Sequence, residues 1–81
     1  MLKVYAIHDQ GIEGYMRPFF MLAHGQAIRA FEDMAKDKEH DIGRHPQDFK
    51  LFYLGNFDER TAEFTEPCNV CLAKGHEVVQ E

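Results

Sequence analysis

The segment 48–58, DFKLFYLGNFD, limits what this chain can fold into more than any other stretch. It is the most strand-like run in the sequence. A strand sends alternate side chains to opposite faces. Phe49, Leu51 and Tyr53 fall on one parity, and Lys50, Phe52 and Leu54 on the other. A half-buried strand would be apolar on one parity and polar on the other. Here both carry large apolar groups, so each side of the strand needs a cover. The chain has 81 residues with which to supply two covers, or it borrows one from a partner.

At that length the chain forms one domain, and such a domain buries roughly 60–65% of its unfolded surface. Hydrophobic residues make up 44% of the sequence, including seven Phe and three Tyr, which is enough for a true core. No run reaches the roughly 18 apolar residues of a membrane span. Met1-Leu2-Lys3 leads directly into an alternating pattern rather than a charged segment followed by an apolar one. That argues against a secretory signal and for a soluble, cytosolic protein with no membrane partner. The net charge of −5 is uneven. Residues 1–30 balance at +1, from Lys3, Arg17 and Arg29 against Asp9 and Glu13, whereas residues 31–81 balance at −6. Phosphate contacts supply most non-specific DNA affinity, so a nucleic-acid role for an acidic chain rests on a local patch rather than on bulk charge.

Taken in order, residues 2–8 alternate and read as a strand. Asp9–Gly14 is a connection with two glycines, and its Gly11-Ile12-Glu13-Gly14 reads as turn chemistry rather than as the basic G-x-x-G clamp of RNA-binding domains. Tyr15–Leu22 is extended, and Pro18 confines it to an edge. Over Gln26–Asp37, the recurrence of Ala27, Ile28, Phe31, Met34 and Ala35 predicts an amphipathic helix. Asp37–Gln47 is a loop in which Pro46 is suited to open one helical turn. After the strand at 49–57, Asp58–Thr61 is a hairpin turn returning through 62–65. From Glu66 onward Pro67, Asn69 and Gly75 break the pattern. The expectation is therefore a single α+β domain over 1–65, a small antiparallel sheet in the order β-β-α-β-β with one amphipathic helix on one face. Residues 66–81 are expected to form a polar, flexible tail.

Sorting the strands by parity gives two sets. Leu2, Val4 and Ala6, with Met16, Pro18, Phe20 and Leu22 and with Phe49, Leu51 and Tyr53, form an apolar face that the helix stripe suits. Lys3, Tyr5 and Ile7, with Arg17, Phe19 and Met21 and with Lys50, Phe52 and Leu54, repeat basic, aromatic, aliphatic on each strand. Two readings compete for this second face. One is a homodimer seam through Ile7, Met21, Phe52 and Leu54, because apolar sheet faces in small proteins are commonly buried against a second copy. The other is a stacking platform for single-stranded nucleic acid. In it Lys3, Arg17, Lys50 and Arg44 meet phosphate, and Tyr5, Phe19 and Phe52 stack bases at about 1–3 kcal/mol each.

Other constellations are sparser. Cys68, Cys71 and His76 offer three zinc-type ligands with C-x-x-C spacing, the fourth to come from His40, His45, an acid or a second chain. The plain alternative is a pair of reduced thiols. His45 near Asp48 has the residue types of acid–base chemistry. No nucleophile, oxyanion hole or Gly-rich phosphate loop accompanies it, so His45 reads as a turn residue and the chain as no enzyme, with no cofactor apart from that zinc.

The ordered set Val4-Tyr5-Ala6-Ile7-His8-Asp9, Tyr15 through Phe20, His24 through Phe31, Arg44 through Phe49, and Leu51-Phe52-Tyr53-Leu54-Gly55-Asn56-Phe57-Asp58 resembles the small nonstructural protein of gokushovirus-type microviruses, single-stranded DNA phages. The resemblance covers residues 3 to about 64. It implies a DNA-binding or replication-associated role in the switch from duplex replication to single-strand synthesis during genome packaging. It further implies the host cytoplasm, and viral DNA or viral or host replication proteins as partners. It carries no catalytic residues, and the segment from Cys68 to His76 lies beyond it. The expected function is thus non-enzymatic binding of single-stranded DNA. The alternative is a dimeric module that recruits a replication protein and has little DNA affinity.

Overall fold

A computed structural model describes residues 1–79. Its centre is a long antiparallel pair, β1 (Leu2–Asp9) and β4 (Phe49–Asp58), in register from Leu2 opposite Phe57 to Asp9 opposite Phe49. Each outer position of the sheet is filled by two short strands. β2 (Gly14–Tyr15) and β3 (Phe19–Met21) pair with β1, and β5 (Glu63–Thr65) and β6 (Val70–Lys74) pair with β4. Helix α1 (His24–Lys36) packs on one face, followed by the single turn α2 (Asp41–Arg44) and a 3-10 turn over Pro46–Asp48. A last turn, α3 (Gly75–Val78), follows β6. The α+β class, the antiparallel sheet and the one-sided helix agree with the expectation from sequence.

Local chemistry explains the breaks. Tyr15–Leu22, expected as one edge strand, is split into β2 and β3 around Pro18, which has no N–H to give to a ladder. Asp9 Oδ1 accepts from Gly11 N at 2.8 Å, and Glu13 sits at φ 54°, so the G-x-x-G run is a turn. At the hairpin after β4, Asp58 Oδ1 accepts from Arg60 N at 2.9 Å while the Asp58 carbonyl accepts from Ala62 N at 2.7 Å. Helix α1 starts two residues earlier than its apolar stripe predicts. The Gln26 amide oxygen reaches back to accept from Leu22 N at 3.0 Å and Ala23 N at 3.2 Å, doing the work of the missing Ser or Asp cap.

The core lies between α1 and one sheet face. Ala27, Phe31 and Ala35 from the helix meet Tyr5, Ile7, Phe49 and Leu51 from the sheet, and Ile42 of α2 closes one end. Phe19, Met21 and Tyr53 pack against this cluster. The two faces differ from those that parity predicts. Tyr5 pairs with Tyr53 and Ile7 with Leu51, so the set Lys3, Tyr5, Ile7 shares the helix side with Phe49, Leu51 and Tyr53 and not with Phe52. Parity sorts residues within a strand, but the inter-strand register decides which parity of one strand aligns with which of its neighbour. The register also shifts between Val4 and Tyr5, leaving Leu54 without an opposite residue on β1.

The segment expected as a flexible tail is largely built into the fold. Residues 70–74 form β6 along β4, and Leu72, Ala73, Val78 and Val79 pack against the core. Gly75 lies so close to Pro46 that a Cβ there would stand 2.1 Å from the Pro46 carbonyl oxygen. The domain boundary at residue 65 therefore does not hold: the strand and turn beyond it belong to the same body. The bulge between Leu51 and Phe52 lets Leu72 and Ala73 both turn inward, and it removes the strict alternation that would have marked VCLAK as a strand.

Candidate nucleic-acid face

The second sheet face carries none of the described helices, and the register assembles on it a surface that no single strand announces. Lys50 lies between Phe49 and Leu51, both of which point into the core, so Lys50 is on the opposite side. Directly opposed residues of antiparallel strands share a face. Tyr15 opposes His8, His8 opposes Lys50, and Lys50 opposes Lys74, giving one row across four strands that runs aromatic, imidazole, lysine, lysine. The next row holds Ala6, Phe52 and Cys71. Further along, Phe20 opposes Val4, and Leu2, Phe57 and Phe64 form the last row.

Aromatic rings dominate this surface in two groups. His8 and Tyr15 meet edge to face with centroids 4.8 Å apart, and Phe52 stands 5.6 Å from Tyr15. At the other end Phe57 is flanked by Phe20 at 5.6 Å and Phe64 at 5.0 Å. Along β4 the two groups are about 15 Å apart, from the rise of an extended chain. Between them Val4 and Ala6 are 5% and 2% exposed although none of the described helices covers them. Their cross-strand neighbours on this face are the larger Phe20 and Phe52. Tyr15, Phe20 and Phe64 remain 46%, 41% and 68% exposed. A patch of exposed rings with two lysines at one end presents π-faces and cations together, the chemistry that unstacked bases and phosphates take.

The candidates drawn from sequence divide between the two sides. Lys50 and Phe52 are on the open face, with Tyr15, His8, Lys74, Phe20, Phe57 and Phe64, which parity alone did not select. Tyr5 is fully buried beneath α1, with Phe19 stacked on it at a centroid distance of 5.7 Å. Lys3 opposes Met21 and Asn56 on the helix side, and Arg17 borders a groove there. Arg44 in α2 pairs with Asp41 and donates to the Glu39 carbonyl at 3.0 Å. The expected dimer seam is dispersed in the same way. Ile7 is 4% exposed within the core and Met21 packs at its margin, whereas Phe52 faces outward. A buried ring stacks no base and a buried aliphatic joins no seam, so Tyr5 is withdrawn from stacking and Ile7 from the seam.

Beneath α1 the polar groups have internal uses. The Tyr5 hydroxyl shares a 2.8 Å hydrogen bond with His24 Nδ1, and the Tyr53 hydroxyl donates to Asn56 Oδ1 at 2.7 Å. Burial, with Tyr53 beside it, pushes the Tyr5 phenol above its ordinary value of 10.0. His40 Nδ1 accepts from Ile42 N at 3.1 Å and caps α2, while the His45 carbonyl accepts from Asp48 N at 3.0 Å within a turn. Cys68, Cys71 and His76 are not gathered. Cys68 Sγ is 3.5 Å from the Tyr53 carbonyl, Cys71 is exposed on the open face, and both thiols are free. Among the described residues no three His, Cys, Asp or Glu side chains are placed to hold a metal ion. No described helix is long and apolar enough to cross a membrane.

These features define a small α+β sheet protein with one face covered by helices and the other left aromatic and basic. The family model described as Phage ORF5 protein matches residues 2–78, and the chain belongs to that family. The match runs past residue 65 through β6 and α3, as the packing does. No curated protein and no solved structure matches the chain.

Proposed function

We propose that this phage protein is a non-enzymatic binder of single-stranded DNA, acting in the host cytoplasm during viral genome replication or packaging, and that the open sheet face is its binding surface. One observation carries the reading: the row Tyr15–His8–Lys50–Lys74, backed by Phe52, puts stacking rings and two cations on one surface of an otherwise acidic chain. Family membership makes this a phage protein, and the resemblance to microvirus nonstructural proteins points to DNA. Single strands suit the site better than duplex, because a flat sheet bearing rings needs unstacked bases, whereas a duplex offers mainly phosphates. Fluorescence anisotropy with a labelled oligothymidylate tests this. Affinity is expected to fall with salt at a logarithmic slope of about −0.7 per phosphate contacted. No binding at low salt would contradict the reading.

A second reading is favoured by the exposure of Phe20 and Phe64 at the end remote from the lysines. There the same sheet side has the apolar character of a homodimer seam, and the protein would serve as a module recruiting a viral or host replication protein. Light scattering separates the two. A mass near 9.4 kDa at micromolar concentration removes the dimer. A doubled mass that Phe64→Ser returns to the monomer supports it.

A further inference from the structure

Edge strand β3 and helix α1 frame a groove of about 550 Å³ on the helix side of the molecule, remote from the open face. Ile7 and Phe19 form part of its lining, Met16, Met21 and Met34 contribute three thioethers, and Arg17 borders it. We propose that this groove is a docking site for an extended peptide of a partner protein. The peptide adds as a strand along β3, drops an apolar side chain among the methionines and sets a carboxylate against Arg17.

Three observations define the occupant. First, β3 is an edge: its Phe19–Met21 segment pairs only with β1 among the described residues, so its outer backbone groups face no strand. An unpaired edge recruits an extended peptide through main-chain hydrogen bonds. Second, a strand laid there would send alternate side chains toward α1, into the groove. Methionine side chains are unbranched and adaptable, which suits a site that must accept different apolar residues. Third, Arg17 is exposed and makes no ion pair with any described residue. A guanidinium beside an apolar trough selects a carboxylate. A nucleic acid does not fit, because a phosphate backbone asks for repeated cations and this lining has one. The proposal is independent of DNA binding and uses none of the open-face residues.

The test is selection of a displayed library of random twelve-residue peptides on the full chain, followed by resynthesis of the enriched sequences. Alternating apolar residues with an acidic residue are expected. The resynthesised peptides should shift the amide resonances of Phe19–Met21, and Arg17→Glu or Arg17→Ala should weaken them by about tenfold or more. N-methylation of the peptide backbone should weaken them similarly, since it removes the strand hydrogen bonds. The proposal is overturned if nothing is enriched, or if the enriched peptides bind the Arg17 variants as tightly as the parent. It is also overturned if they shift Tyr15 and Phe52 instead. A doubled mass without peptide that returns to 9.4 kDa with Arg17→Glu would assign the groove to a second copy, against the proposal.

Discussion

Gly55 holds φ at +133° in the middle of β4, just past the bulge that displaces Leu54. A Cβ at that position would lie 3.0 Å from the carbonyl oxygens of both Thr65 and Glu66, in a backbone region that L-residues rarely enter. Gly55→Ala is therefore expected to cost about 1–3 kcal/mol in urea denaturation. An unchanged midpoint would show that the bulge relaxes freely. Tyr5 makes a second prediction. Tyr5→Phe removes the hydrogen bond to His24 and should cost about 0.5–1.5 kcal/mol at neutral pH. The sign of its pH dependence follows from the raised phenol. The folded state resists ionisation that the unfolded chain undergoes near pH 10, so the wild-type protein should lose stability as pH rises through about 10 and beyond. Tyr5→Phe should flatten that loss in denaturation curves recorded between pH 8 and 11, whereas an equal decline in both proteins would place the sensitivity elsewhere.

Elements show where the sequence spoke clearly. Helix α1 was legible because Ala27, Phe31 and Ala35 repeat at helical spacing and do enter the core. β1, β4 and the Asp58 turn were legible for similar reasons. Each has a local signal, whether alternation, β-branched and aromatic content, or a carboxylate that bonds its own turn. Register has no such local signal. Tyr5 and Phe52 look alike on their own strands, and only the pairing of Tyr5 with Tyr53 puts one under the helix and leaves the other outside. That is why, of the seven candidates, only Lys50 and Phe52 lie on the open face, while Lys3, Tyr5, Arg17 and Phe19 lie on the helix side and Arg44 in α2. The last strand was missed for a different reason. β6 is short, bulged and bounded by Asn69 and Gly75, and it becomes a strand because β4 offers a free edge, a tertiary cause. Ending the chain at residue 69 should therefore do more than trim a tail. It removes Leu72, Ala73 and Val78 from the core margin and should cost about 3 kcal/mol or more, or abolish cooperative melting in far-ultraviolet circular dichroism. A truncated chain that melts like the full one would restore the boundary at 65.

At the scale of the whole molecule, the two sides of one sheet differ in cover. The helix side holds the fold: the central strands bury Tyr5, Ile7, Phe49 and Leu51 against α1, and β6 and α3 close its margin. The other side carries none of the described helices, and the short, split edge strands limit how much of the sheet can join another sheet. The strand at 49–58 thus has the two covers its composition asks for in unequal form, a helix on one parity and, in our reading, DNA on the other. In our reading DNA binds the open face and not the helix side. The direct measurement compares two charge reversals on one labelled oligothymidylate across a salt series. Lys50→Glu with Lys74→Glu should weaken binding strongly and reduce the salt slope by about 1.4, two contacts at about 0.7 each. Lys36→Glu with Lys38→Glu, an equal change of charge at the end of α1, should leave the slope unchanged. Equal losses from both pairs would mean that bulk charge governs binding and would contradict the account.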